Sequence, residues 1–195
     1  GLVNIGGFLA TRDRELYENA MNLCVVYEGL HTYGGLAGRD LEAMAVGLAE
    51  MVREETIAHR IAQVRYLGEA LSGRGIPVLR PFGGHGVFLD ARAFLPQLDS
   101  SELPAQALAA WVYEDCGVRG MERGVVSAGR DPEGGDRAST LELVRLTVPR
   151  RVYTQTHLDF VAQGIFETWR RRESLPGLRF VYEPKFLRFF QSRFE

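Results

Sequence analysis

Two arginines sit where an unpaired charge would be costly. Arg145 stands in the middle of Leu141-Glu-Leu-Val-Arg-Leu-Thr-Val-Pro149, and Arg123 closes Val118-Arg-Gly-Met-Glu-Arg123 just ahead of a glycine. With period two, Leu141, Leu143, Arg145 and Thr147 share one face of a strand, and Glu142, Val144, Leu146 and Val148 share the other. A desolvated guanidinium is stable only when paired. Either a local carboxylate neutralises it, or it waits for an anion. Two planar, permanently charged forks on neighbouring strands suit a carboxylate and a second oxygen. On these residues alone, structural ion pairs and a binding site both stay open.

Other chemistry-bearing residues are fewer. His85 lies between glycines at the mouth of a strand, and His31, His59 and His157 share no metal-ligand spacing with one another or with Cys24 and Cys116. Gly83-Gly84 and Gly134-Gly135 do not fit the strand-to-helix phosphate loop, and no Gly-x-Ser-x-Gly elbow occurs. Phe189-Phe190 suits either a core or an aromatic lid over a flat ligand. Lys185, the only lysine among 23 basic residues, follows Pro184 in a polar turn. Such a turn offers no dry pocket to activate an amine.

The elements that must position these groups follow from patterning. Thr11 can cap a helix through about Asn22, after a strand-like Leu2 to Ala10 and before an apolar, strand-like Leu23 to Val26. Paired glycines at Gly34-Gly35 open a loop. Residues 39–73 carry two helical stripes, Leu41, Met44, Ala45, Leu48, Val52 and then Ile57, Ile61, Val64, Leu67, Leu71, broken by Arg53-Glu-Glu55. A domain boundary is placed near that break, giving 1–52 and 53–195. Beyond it come strands at Pro77 to Arg80 and within Gly83 to Asp90, and a helix from Pro104 to Cys116 stopped by Gly117. The Arg123 and Arg145 strands follow, then a helix from about Thr156 to Arg172 and a strand at Leu178 to Tyr182. This order predicts a small α+β domain with a mainly antiparallel sheet covered on one face.

Composition sets bounds on partners. A formal charge of −2 over 195 residues argues against nucleic acid and anionic membrane, and no apolar run approaches the ~20 residues of a membrane span. Two cysteines make no disulfide framework, which fits a reducing cytoplasm. The chain opens at Gly1 directly into an apolar run, which suggests one piece of a longer chain.

Several segments carry a specific likeness: Leu2-Val-Asn-Ile-Gly-Gly-Phe-Leu9, Val25-Val-Tyr-Glu-Gly29, Tyr33-Gly-Gly-Leu-Ala-Gly-Arg-Asp40 and Met121-Glu-Arg-Gly124. So do Arg145-Leu-Thr-Val-Pro-Arg-Arg-Val-Tyr-Thr154 and Tyr182-Glu-Pro-Lys-Phe-Leu-Arg-Phe-Phe190. In these the sequence resembles the β-eliminating lyases, pyridoxal 5′-phosphate enzymes of the aspartate-aminotransferase fold type. The likeness is to the tyrosine-cleaving branch, sister to the tryptophan-cleaving one, and runs in order over essentially the whole chain.

The resemblance implies an α/β fold: the end of the large cofactor domain (1–52), plus most of a small carboxyl-terminal α+β domain (53–195). It implies elimination of L-tyrosine to phenol, pyruvate and ammonia, with tryptophan cleavage to indole as the alternative. It also places the cofactor-binding lysine just upstream of Gly1, together with the rest of the cofactor site. A non-catalytic binding or oligomerisation fragment is the reading that takes the missing lysine at face value. The partners implied are the amino-terminal remainder of the enzyme, further copies in a homo-oligomer (usually a tetramer), and a small amino-acid substrate.

Position by position, Arg145 matches the arginine that holds the substrate carboxylate, and Arg123 the residue engaging the phenolic oxygen, with Met121 in the same pocket. Phe189 and Phe190 match the pair that closes around the ring. Asn4 matches a backbone-carbonyl ligand of potassium, and Tyr33 and His85 match positions in the vicinity of the site. The departures are Gln155-Thr-His157, closer to the tryptophan-cleaving branch, His31 in place of a proline, and a loop near Glu133 shorter by one residue. This reading requires that Arg123 is neither turned outward into solvent nor tied up permanently by an acidic neighbour with no cavity beside it.

Overall fold

The computed structural model describes residues 3, 5–137, 139–149 and 151–195, and it separates into two units, residues 1–59 and 60–195.

The first unit is helical. Asp13 caps α1 (Arg14–Tyr27) by accepting the Leu16 N–H at 3.0 Å, while Thr11 Oγ1 accepts from Asp13 N at 3.1 Å. The expected cap is thus displaced by two residues. The helix also absorbs Leu23 to Val26, expected as strand-like. A strand requires a ladder partner, and among the described residues none pairs here, so the apolar run continues the helix to Glu28. For the same reason residues 3 and 5–10 form no strand. The chain turns through Gly34 and Gly35, both at positive φ, into α2 (Gly38–Met51). A one-turn break then separates α2 from α3 (Glu54–Ser72), at the predicted charged stretch. The two units part at His59 and Arg60, inside α3.

The second unit is built on a three-stranded antiparallel sheet of β1 (Gly86–Asp90), β2 (Met121–Arg123) and β3 (Leu143–Thr147), with β3 in the middle. Pairing sets Val87 opposite Leu146, and both Leu89 and Glu122 opposite Val144. These residues face the core. The other face carries Phe88, Arg145 and Met121 in one row across all three strands.

Against the core face pack α5 (Pro104–Cys116) and α7 (Gln155–Arg170), beyond the short α4 (Ala91–Phe94). Gly117, at φ 70°, ends α5 where the sequence predicts. In α7 Leu158, Ala162 and Ile165 are buried as their spacing requires, and Trp169 meets Phe94 edge-on at 4.8 Å. The Pro77 to Arg80 strand reduces to a single bridge, Val78 to Leu89.

A second, smaller core gathers Leu103, Val125 and Val126 with Phe180, Phe189 and Phe194. It joins α6 (Val125–Ala128), α8 (Arg188–Gln191) and the two-stranded sheet of β4 (Phe180–Tyr182) and β5 (Arg193–Phe194). The chain is therefore mixed α/β with small antiparallel sheets.

Candidate active-site face

Arg145 projects from the middle of β3 onto the sheet face turned away from the core. Its Nη2 reaches the Met121 sulfur at 2.9 Å, and its buried Nε has no hydrogen-bond partner. Among the described residues no carboxylate pairs with it, so the structural ion pair left open by the sequence is not the one formed. Leaving a buried guanidinium N–H without an acceptor is costly.

Arg123 ends β2 on the same face, two residues from Met121 and in register with Leu143. It is exposed and, among the described residues, has neither an ion pair nor a hydrogen bond. The residue does not line the cavity beside the phenylalanine pair.

That cavity, about 340 Å³, is bounded by Val126, Arg130, Glu183, Lys185, Phe189 and Phe190 among others. Phe189 is half-buried in the smaller core, Phe190 is 75% exposed, and the two rings meet edge-to-face at 5.1 Å. Core and lid, the two sequence readings of the pair, are thus divided between its members. The turn before them is tied by charge. Arg188, 8% exposed, pairs with Glu183 Oε1 at 2.9 Å and Asp136 Oδ1 at 2.8 Å, and its guanidinium lies over Phe180. Arg130 grips the same Glu183 with both its Nε, at 2.7 Å, and its Nη2. The Arg130 hydrogen bond holds the Glu183 carboxyl below the usual carboxylate range; burial opposes this and the Arg188 charge assists it.

Sequence reasoning passed over the groups that hold the Arg123 turn. Glu122 and Glu142 are 3% and 2% exposed. Glu142 accepts from Val125 N at 3.0 Å and from Ala105 N at 3.4 Å; Glu122 accepts from Val126 N at 3.1 Å and Ser127 N at 2.9 Å. Burial pushes both carboxyls up, against the lowering effect of these N–H donors. One signal was present in the sequence: period two sets Glu142 on the same face as Val144, Leu146 and Val148.

His85 is exposed, and its carbonyl accepts from Val148 N at 2.9 Å and Arg60 Nη2 at 3.2 Å. Tyr33 belongs to the first unit, where it lines an open cavity of about 840 Å³ with Tyr17, Cys24, His31 and Met44. Asn4 lies outside the described residues. Lys185 is exposed, its Nζ 5.5 Å from the Phe186 ring centroid. Among the described residues no group of three or more His, Cys, Asp or Glu could hold a metal, and no helix is long and apolar enough to cross a membrane.

Comparison with known proteins supplies the family. The Beta-eliminating lyase family matches residues 1–164. The chain is 60% identical over 194 residues to Tyrosine phenol-lyase of Intrasporangium calvum, covering 100% of this chain and 41% of that protein. For Tyrosine phenol-lyase of Nostoc punctiforme the identity is 58% over 195 residues, covering 100% and 42%. For that of Symbiobacterium thermophilum it is 59% over 195 residues, covering 100% and 43%. The chain spans about two fifths of the length of these relatives. Aligned with them from end to end and matched by the family over most of its length, the chain belongs to the beta-eliminating lyases.

Proposed function

We propose that the chain serves as the carboxyl-terminal portion of a pyridoxal-phosphate lyase that cleaves L-tyrosine to phenol, pyruvate and ammonia. The observation that carries this is the buried, unpartnered Nε of Arg145, on a face shared with Met121 and a free Arg123. The shared sequence with relatives named Tyrosine phenol-lyase supports tyrosine as the substrate of that face. On this reading residues 1–52 end the large domain of an aminotransferase-like fold, and residues 53–195 form most of its small domain.

The family implies pyridoxal 5′-phosphate, which supplies an electron sink for amino-acid chemistry. The described residues do not fit its anchoring. The single lysine is exposed beside Phe186, at the open cavity of the phenylalanine pair. What this chain contributes is recognition. Arg145 takes the substrate carboxylate in a charge-assisted bond, while the Met121 sulfur holds its other edge. Arg123 donates to the phenolic oxygen and strengthens that bond as the ring accepts charge. The exposed ring of Phe190 closes over the aromatic side chain and excludes water, with Phe189 as its fixed base.

A homo-oligomer, a tetramer on the family resemblance, fits the many exposed apolar side chains of the first unit, Phe8 and Tyr27 among them. Potassium at the Asn4 carbonyl belongs to the same proposal, as does a cytoplasmic setting. The test is to supply pyridoxal phosphate to the full-length polypeptide carrying this chain and to follow phenol, indole and pyruvate. Release of phenol with pyruvate from tyrosine upholds the assignment; release of indole from tryptophan in its place, or no turnover of either, overturns it.

A further inference from the structure

We propose that Glu122 and Glu142 are positioning residues that fix the backbone carrying Arg123, and through it set how well the site takes a hydroxylated aromatic side chain; this rests on the role of Arg123 just given. The Arg123 side chain is exposed, and among the described residues it has no ion pair and no hydrogen bond. Its backbone, by contrast, is held on both sides. On one side the β2–β3 ladder fixes Arg123 against Leu143. On the other, Gly124 leads into α6, and the first three N–H groups of that helix, at Val125, Val126 and Ser127, all point at Glu142 or Glu122. Glu142 also reaches the first turn of α5 through Ala105 N, so one carboxyl group ties β3, α5 and α6 together.

The arrangement exceeds what a four-residue helix needs. A serine or aspartate cap would satisfy a helix end at the surface. Here two acidic groups are buried, and no arginine forms an ion pair with either among the described residues. Burying an acid without a counter-charge is unfavourable, and the backbone N–H bonds are its compensation. The chain makes room for it as well. A Cβ on Gly124 would fall 2.2 Å from Glu142 Oε2, so glycine alone lets that oxygen lie against the residue following Arg123. With the backbone held by the ladder on one side and by three N–H bonds at the start of α6 on the other, the Cα and Cβ from which the fork extends are fixed in place.

Glu122→Gln and Glu142→Gln keep shape but replace one acceptor with an NH₂ donor, so one N–H in each pair loses its partner. The experiment uses the full-length enzyme loaded with pyridoxal phosphate. Amide exchange of residues 124–128 should accelerate tenfold or more in both variants. In the same enzymes kcat/KM for L-tyrosine should fall at least tenfold, while that for an S-alkyl cysteine, whose leaving group needs no arginine, changes less than threefold. Arg123→Ala added to Glu142→Gln should then cost little more on tyrosine. Gly124→Ala, which leaves both acids in place, should give the same split and stands in if a glutamine variant fails to fold. Exchange that stays slow in every variant, equal losses on the two substrates, or additive losses with Arg123→Ala would overturn the positioning role. Failure of the proposed function shows itself separately, as a wild-type enzyme that leaves tyrosine intact.

Discussion

Arg145 and Met121 face each other across the β2–β3 ladder, with the guanidinium Nη2 2.9 Å from the sulfur and the buried Nε left without an acceptor. A thioether is a weak acceptor, so this contact orients the fork without neutralising it. The residue is held, and its charge is still available.

Arg145→Ala in the full-length enzyme should therefore weaken every amino-acid substrate by about 1.5–3 kcal/mol, the scale of a hydrogen bond to a charged group. Equilibrium binding of a non-reactive amino acid measures it. An unchanged constant would return Arg145 to a structural role.

Arg123→Ala should act selectively. Elimination from tyrosine should drop by about 10²-fold or more, as for the loss of a donor to developing charge. An S-alkyl cysteine, with its better leaving group, should be turned over at nearly the original rate. Comparable losses on the two substrates would remove Arg123 from the site.

Glu183 makes the anchoring of the phenylalanine pair depend on pH. Its carboxyl is held below the usual range by Arg130, so the stability it lends is present above the ordinary carboxylate pKa and is lost as pH falls through the lowered folded value. The Phe190 and Gln191 amides, which donate to the Leu187 carbonyl at 2.9 and 3.1 Å, should exchange faster on acidification through that window. Glu183→Gln should exchange fast at neutral pH already, without the acid step. Glu122 and Glu142 have the opposite sign. Burial raises them, so their contribution is complete below the ordinary carboxylate range and fades as pH rises through the raised folded values.

Gly164 marks the closest approach of α7 to the end of α5. An added Cβ there would stand 2.5 Å from the Cys116 Cβ and 2.7 Å from its sulfur. Gly164→Ala should destabilise by about 1–3 kcal/mol through overpacking, more than the gain in helix propensity returns. A thermal midpoint equal to or above that of the wild type would count against this packing.

Lys185→Arg should leave cofactor loading unchanged, since the amine sits exposed over Phe186. Loss of the bound-cofactor absorbance in that variant would make it an anchor after all.

Much of the second unit was legible because its elements report their own ends. Pro104 and Gly117 bracket α5, and the apolar spacing of α7 matches what it buries. Arg145 was legible too, since a charge at the centre of an apolar strand is a conflict that only a partner or a ligand resolves. The first unit was less so. Leu23 to Val26 has strand composition, but composition cannot say whether a neighbouring strand exists, and without one the run stays helical. Glu122 and Glu142 escaped for a related reason. Their partners are backbone N–H groups at Val125, Val126, Ser127 and Ala105, and no side-chain pattern announces a main-chain donor.

The central place of β3 has a consequence for how the sheet assembles. Sliding that strand by one residue against its neighbours would drive Arg145 into the apolar interior and expose Val144. A buried charge with no counter-ion is penalised far more than a misplaced methyl group. The charge at the centre of β3 therefore also proofreads the pairing, since a sheet slipped by one residue would have to bury it.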